Sequence, residues 1–243
     1  MANQNTNQSV ASQQAARQTV SLGCQGPASA LASAIQIVLV LIVDATESML
    51  PFVDGARLAI NGLLDILAQA GFRVEFGLVV FRDETCGECP ICYDIGLSPE
   101  DIKSVLAQTK PDGGGDPPES ALLAIRHAVR LRGYPQGARP IFCLVSDADT
   151  HDPEQGVSSD DIRTMLVENK VTLFACTPDL PVYRKLVDAT GGTLFPIAKD
   201  MDATTFKELI HEFGHKTVHT VHTQLTREMQ EAMQAELRKT RAV

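Results

Sequence analysis

Residues 35–48 read IQIVLVLIVDATES, and how this stretch is read decides the fold. From Ile35 to Val43 only Gln36 breaks an aliphatic run. A strand covered by helices on both faces of a parallel sheet has this character, whereas an antiparallel strand with one wet face alternates apolar with polar. The run is too short for a membrane span, which takes roughly 18 apolar residues or more. It ends on Asp44, and one carboxylate and two hydroxyls (Asp44, Thr46, Ser48) then alternate along the segment leaving the strand.

Strands and helices alternate outward from this run. Residues 51–70 place Phe52, Ala56, Ala59, Ile60, Leu63, Leu64 and Leu67 at helical spacing, with Gly71 as the stop. Residues 73–81 (RVEFGLVVF) form a second strand, and residues 91–97 a short, polar-flanked edge strand. Residues 99–108 form a helix capped by Ser98 ahead of Pro-Glu-Asp. Beyond a glycine-rich turn come a helix at 118–131, a buried strand at 140–146 (PIFCLVS) and a helix at 159–169. A strand at 171–176, a helix at 181–190 and a final strand at 192–197 complete the alternation. A last helix starts near residue 202 and continues, interrupted at Gly214, into the Glu/Gln/Lys/Arg-rich C-terminus. The pattern predicts an α/β fold: a doubly wound, mostly parallel central sheet with helices on both faces and one short antiparallel edge strand. In such sheets ligands bind at the carboxyl ends of the strands, at the switch point.

The chain has 243 residues, 44% hydrophobic and 21% charged, enough for one large α/β domain with a sizeable core. Residues 1–32 are rich in Gln, Asn, Ser and Ala and cannot offset their ordering entropy, so a flexible tail is expected there. Residues 33–215 form the folded domain and residues 216–243 a C-terminal helical extension. The formal net charge of -9 argues against a nucleic-acid partner, which needs a basic face. It suits a cation or a basic protein. The first 16 residues carry no basic group, unlike a secretory leader, so a reduced, cytoplasmic location is expected. Cys143 and Cys176 lie in apolar runs and read as core residues. Nothing in the sequence sets the oligomeric state.

Oxygen donors of the Asp44, Thr46, Ser48 kind suit a hard cation. Taken alone, Asp44 or Ser48 reads equally well as a helix cap. Two further loops shift the balance. Gly113-Gly114-Gly115-Asp116 presents a carboxylate on a backbone free of side-chain bulk, and the strand at 140–146 runs into Asp147-Ala148-Asp149. Carboxylates delivered to one sheet edge by separate loops repel each other unless a cation is bound.

The motifs DATESM at 44–49, FRDE at 81–84, GGGDPPES at 113–120 and SDADTHDP at 146–153 occur in the order and spacing of a known family. Together they resemble the von Willebrand factor A-type (vWA) domain with its metal-ion-dependent adhesion site, nearest the intracellular and bacterial branch. The likeness covers roughly residues 35 to 213. It implies a Mg²⁺ ion, with Mn²⁺ or Ca²⁺ as other hard cations, held by the Thr46 and Ser48 hydroxyls. Asp44 and Asp147 act directly or through water, and Asp116 comes from the second loop. It further implies a protein partner bound at the metal-bearing face and a scaffold or adaptor role. Asp116 stands where the adhesive pattern has Thr. Three carboxylates against one Mg²⁺ then leave the site at about -1, favouring the cation over an incoming acidic side chain.

Other signals compete. His211-Glu212-Phe213-Gly214-His215 matches HExxH, in which imidazoles at i and i+4 on a helix hold zinc beside a general-base Glu. The third-ligand position of a metzincin falls on Val221, and His222 misses it by one residue. A zinc-dependent hydrolase using His211 and His215 is therefore the rival reading. Cys86, Cys89 and Cys92 (CGECPIC) have the spacing for zinc or for redox-labile thiols, but four ligands close a structural zinc site. Asp83 and Asp94 are poor candidates for the fourth. A zinc or redox sensor is the third reading. The glycine run lacks the Lys-Ser/Thr of a phosphate loop, and GxSxG is absent. Leu225, Met229 and Leu237 form an apolar stripe suited to packing on the domain or on a partner helix.

Overall fold

A computed structural model describes residues 37–50, 52, 57, 60–65, 74–115, 117–198, 201 and 203–241. The expected tail at 1–32, Asp116 and most of the expected helix at 51–70 lie outside them, although residues 60–65 are helical.

Six strands form one sheet: β1 (Ile37–Asp44), β2 (Val74–Phe81), β3 (Ile91–Leu97), β4 (Ile141–Val145), β5 (Thr172–Thr177) and β6 (Leu194–Pro196). Their order is β3-β2-β1-β4-β5-β6, with every pairing parallel except β2 with the edge strand β3. Besides the helical residues 60–65, the described residues form α1 (Pro99–Gln108), α2 (Ala121–Val129), α3 (Ser159–Glu168), α4 (Pro181–Thr190) and α5 (Ala203–Arg241).

Alternate side chains of β1 explain the unbroken aliphatic run. Leu39 and Leu41 enter a core with Ile60, Leu63 and Leu64, with Ile102 and Leu106 of α1, and with Phe213 of α5. Val38, Val40 and Ile42 enter a second core with Leu122 and Ile125 of α2, Ile162 and Leu166 of α3, and Leu186 of α4. Both faces of the central strand are sealed from water, which is the doubly wound arrangement. Phe213 locks α5 onto the first core, edge-on to Phe174 at 6.3 Å and to Phe195 at 5.5 Å.

Local signals set several boundaries. Ser98 and Asp101 form a reciprocal capping box at the start of α1, as do Ser158 and Asp161 at α3. Gly191, at φ 68°, closes α4 in the left-handed region. Two expectations need correction. The helix expected from residue 118 starts at Ala121, because Glu119 is bridged to Thr150 on the neighbouring loop. Gly214 does not interrupt α5, which is continuous from Ala203 to Arg241. Among the described residues no helix is long and apolar enough to cross a membrane.

Candidate metal site

The chain order reverses at β1, so the loops after β1 and β4 face each other across the switch point. Register does the first part of the positioning. Val43 pairs with Val145, which puts Asp44 beside Ser146, and the Ser146 hydroxyl donates to Asp44 Oδ2 at 2.6 Å. The Thr46 N–H donates to Asp44 Oδ1 at 2.9 Å. With both oxygens engaged, Asp44 is fixed under the loop rather than capping the short 3₁₀ turn Glu47–Met49.

Thr46 Oγ1 lies 3.0 Å from Ser48 Oγ, and Ser48 Oγ donates to Asp147 Oδ1 at 2.8 Å, joining positions 99 residues apart. Thr46 is buried, Asp147 half-buried and Ser48 exposed, so the group opens to solvent at Ser48. Tyr183 of α4 holds the β4 loop from beneath, its hydroxyl donating to the Ala148 carbonyl at 3.0 Å.

The glycine loop lies against the β1 loop. Glu47 N donates to the Gly113 carbonyl at 3.2 Å and Asp112 N to the Ala45 carbonyl at 3.0 Å. Arg82 stitches both loops, with Nε against the Ala45 and Asp112 carbonyls at 3.0 and 2.6 Å. Gly114, at φ 93°, packs so closely on Thr46 that a Cβ there lies 2.5 Å from Thr46 Cγ2. A side chain at this position is excluded twice, by contact and by backbone conformation. Asp116 itself is outside the described residues.

A second acid, which the sequence reading passed over, stands in this loop. Glu119 is 2% exposed and its Oε2 has no hydrogen-bond partner among the described residues. Burial, then the charges of Asp44, Asp83, Asp147 and Glu88, push its carboxyl up to about 8. Asp44 is pushed up to about 6, chiefly by burial and against the hydrogen bonds from Ser146 and Thr46, with Asp147 adding to the rise. Acids held above their ordinary range chiefly by burial, and further by one another, mark a place that would accept positive charge.

The other candidate ligands lie elsewhere. Cys86 and Cys89, between β2 and β3, and Cys92, in β3, are exposed and form no disulfide among the described residues. Cys86 donates to Asp83 Oδ2 at 3.1 Å, while Asp94 is engaged by Arg132 at 2.8 Å. His211 and His215 stack edge-on at 4.5 Å on α5, both exposed, as is Glu212. Among the described residues, three His, Cys, Asp or Glu side chains converge in one place, at Asp83, His151 and Glu154. FRDE and SDADTHDPE carried these residues, but no spacing rule links them.

No protein-family model matches the chain, and no curated protein matches it by sequence. Solved structures do. A von Willebrand factor type A protein from Catenulispora acidiphila superposes with a TM-score of 0.58 at 18% identity over 74% of this chain and 42% of that one. Proximal thread matrix protein 1 from the mussel byssus superposes with a TM-score of 0.55 at 13% identity over 74% of this chain and 46% of that one. The chain thus spans less than half the length of either. At these identities the likeness is one of fold alone: the sheet and its helices are of vWA type.

Proposed function

We propose that this chain is a Mg²⁺-dependent protein-interaction module in which Asp44, Thr46, Ser48, Asp147 and Asp116 hold the ion. A protein partner docks on that face, and the module serves as a scaffold or adaptor in a multi-protein complex.

The observation that carries the reading is the oxygen spacing. Neighbouring ligands on an octahedral Mg²⁺ at about 2.0–2.1 Å are about 2.9 Å apart. Thr46 Oγ1 to Ser48 Oγ is 3.0 Å and Ser48 Oγ to Asp147 Oδ1 is 2.8 Å. Mn²⁺ suits the same oxygen set. Ca²⁺, with ligand distances of about 2.3–2.6 Å in a pentagonal-bipyramidal set, brings equatorial neighbours to roughly 2.7–3.1 Å, so the spacing admits it as well. Hydrogen bonds have similar lengths, so charge decides between the two. Hydroxyls alone do not relieve the crowding of Asp44, Asp147 and Glu119, and a divalent cation does.

Bound Mg²⁺ supplies a Lewis-acidic point facing solvent, and the chain's own residues do the rest. Asp44, fixed by Ser146, orients the Thr46 backbone, and Arg82 ties the glycine loop down behind it. Glu119 adds negative charge to the loop only once it ionises, near 8 in the metal-free chain. With Asp44, Asp116, Asp147 and Glu119 around one divalent ion, the face stays anionic, which favours a neutral or basic partner group over a carboxylate.

The test is calorimetric titration of the full chain with Mg²⁺. Ser48→Ala and Asp147→Asn are expected to weaken binding at least about tenfold, as loss of a ligand does. Proteins retained from an extract in Mg²⁺ should be released by chelator from the wild type and not captured by Asp44→Ala. Equal Mg²⁺ affinity in wild type, Ser48→Ala and Asp147→Asn refutes the assignment.

A further inference from the structure

We infer that the chain carries a second metal site, suited to Zn²⁺, formed by Asp83, His151 and Glu154 around Ser120.

The topology brings these residues together. Asp83 follows the end of β2, while His151 and Glu154 lie in the loop after β4. That loop is held to the start of α2 by backbone bonds from Glu119 N to the Asp149 carbonyl at 2.9 Å and from His151 N to the Glu119 carbonyl at 3.2 Å. Glu154 and Val157 exchange backbone hydrogen bonds of 2.9 and 2.8 Å, a tight turn that fixes the backbone at Glu154. One donor atom from each of Asp83, His151 and Glu154 lies within 4.8 Å of the others.

The hydrogen bonding is one charge short. Asp83 is 2% exposed and Glu154 3% exposed. Ser120 Oγ accepts from Glu84 N at 2.7 Å and touches both Asp83 Oδ1, at 3.3 Å, and Glu154 Oε1. A hydroxyl has one proton, so it serves one of these carboxylates and not both. Glu154 Oε2 and His151 Nε2 have no hydrogen-bond partner among the described residues. A carboxylate oxygen and an imidazole nitrogen without hydrogen-bond partners among the described residues thus converge beside a second buried carboxylate.

A hydrogen-bonded imidazole–carboxylate pair does not account for the arrangement. His151 Nε2 is 3.6 Å from Asp83 Oδ1, too far for a hydrogen bond. An imidazole nitrogen at about 2.0–2.1 Å and a carboxylate oxygen at about 2.0–2.2 Å on a tetrahedral zinc lie about 3.3–3.5 Å apart, close to that separation. An imidazolium also neutralises only one of the two carboxylates, whereas a divalent ion neutralises both. Imidazole with carboxylates favours zinc over Mg²⁺, which prefers an all-oxygen set as at the Thr46–Ser48–Asp147 cluster. Cys86, donating to the other oxygen of Asp83, holds that carboxylate turned so that Oδ1 faces the imidazole.

The experiment is zinc titration of the reduced full chain against a chromophoric chelator in saturating Mg²⁺, followed by Co²⁺ substitution and absorption spectroscopy. The wild type is expected to take one zinc equivalent and to give the intense visible bands of tetrahedral Co²⁺. His151→Ala and Glu154→Gln should each weaken zinc by more than about a hundredfold, and Ser120→Ala, which only orients the ligands, by about 10–100-fold. Ser48→Ala, the paired His211→Ala and His215→Ala variant, and the paired Cys89→Ser and Cys92→Ser variant should keep the zinc. Ser48→Ala loses Mg²⁺ alone, so failure of one site is distinguishable from failure of the other. Glu154→Gln is nearly isosteric and decides the matter should His151→Ala unfold on circular dichroism. No zinc uptake by the wild type overturns the proposal. So does uptake that survives Glu154→Gln, or that vanishes with the α5 histidines or with Cys89 and Cys92.

Discussion

Glu119 makes the candidate metal site sensitive to pH in a way that its neighbours alone would not. Its carboxyl ionises near 4.5 in the unfolded chain and at about 8 in the folded one. Between those values the native state keeps a proton that the unfolded state has released. Metal-free stability therefore falls as pH rises, by about 1.4 kcal/mol per unit, and levels off above the folded value. Going from about pH 5.5 to about pH 8.5 crosses most of that window and removes about 3 kcal/mol, or about 6–12 °C in melting temperature for a chain of this size. Asp44, raised from 3.8 to about 6, acts in the same direction at the lower end of the window. Mg²⁺ reverses the trend because it binds the ionised form, so its apparent affinity should climb by up to about tenfold per pH unit below the folded value. The assay is urea unfolding at both pH values, in chelator and in Mg²⁺, for the wild type and Glu119→Gln. The variant cannot ionise, so its metal-free stability should lack this decline. Equal pH dependence in the two proteins, both in chelator, refutes the reasoning.

Other perturbations separate the site from the scaffold. Gly114→Ala puts a methyl into Thr46 at a φ of 93°, and should cost about 1–3 kcal/mol and lower Mg²⁺ affinity at least about tenfold. Full Mg²⁺ affinity in that variant, by calorimetry, contradicts the close packing of the two loops. Phe213→Ala removes a ring that is 1% exposed and should cost about 3–5 kcal/mol in urea unfolding, with Mg²⁺ affinity retained in the folded fraction. His211→Ala with His215→Ala, both exposed on α5, should change stability by less than about 0.5 kcal/mol and leave Mg²⁺ binding as it was. Casein cleavage that needs zinc and disappears in Glu212→Gln would instead revive the hydrolase reading.

The parts of the fold that could be read from sequence are those written in local chemistry. The bounds of α1 and α4 follow from Ser98-Pro99 and from Pro181 with Gly191, which act on their own few residues. The aliphatic run of β1 reads as doubly buried because both of its faces are covered. The start of α2 was misplaced because Glu119 is spent on a bridge to Thr150, a tertiary bond that no propensity registers. Gly214 lies in mid-helix, where glycine costs about 1 kcal/mol relative to alanine, and packing of the adjacent Phe213 between Phe174 and Phe195 outweighs that. At the site, Asp44, Thr46, Ser48 and Asp147 could be anticipated because each sits where a parallel strand ends. Ser146 and Glu119 could not. Their importance comes from what lies across the sheet edge, the Asp44 carboxylate for one and a cluster of like charges for the other.

Glu119 and Ser120 are consecutive, yet one feels the charges of Asp44 and Asp147 while the other touches Asp83 and Glu154. This joins the two proposed sites electrostatically. Asp83 is itself among the charges that hold Glu119 up. Zinc on Asp83, Glu154 and neutral His151 makes a group of no net charge, so it adds no cationic repulsion toward Mg²⁺ while cancelling the negative charge that opposes ionisation of Glu119. Glu119 should then ionise at lower pH and Mg²⁺ should bind more tightly near neutrality, and by linkage Mg²⁺ should tighten zinc by the same factor. Paired calorimetric titrations, Mg²⁺ with and without zinc and zinc with and without Mg²⁺, measure both sides of that equality. Mg²⁺ affinity that is unchanged or weakened by stoichiometric zinc would show that Glu119 does not carry charge information between the two loops.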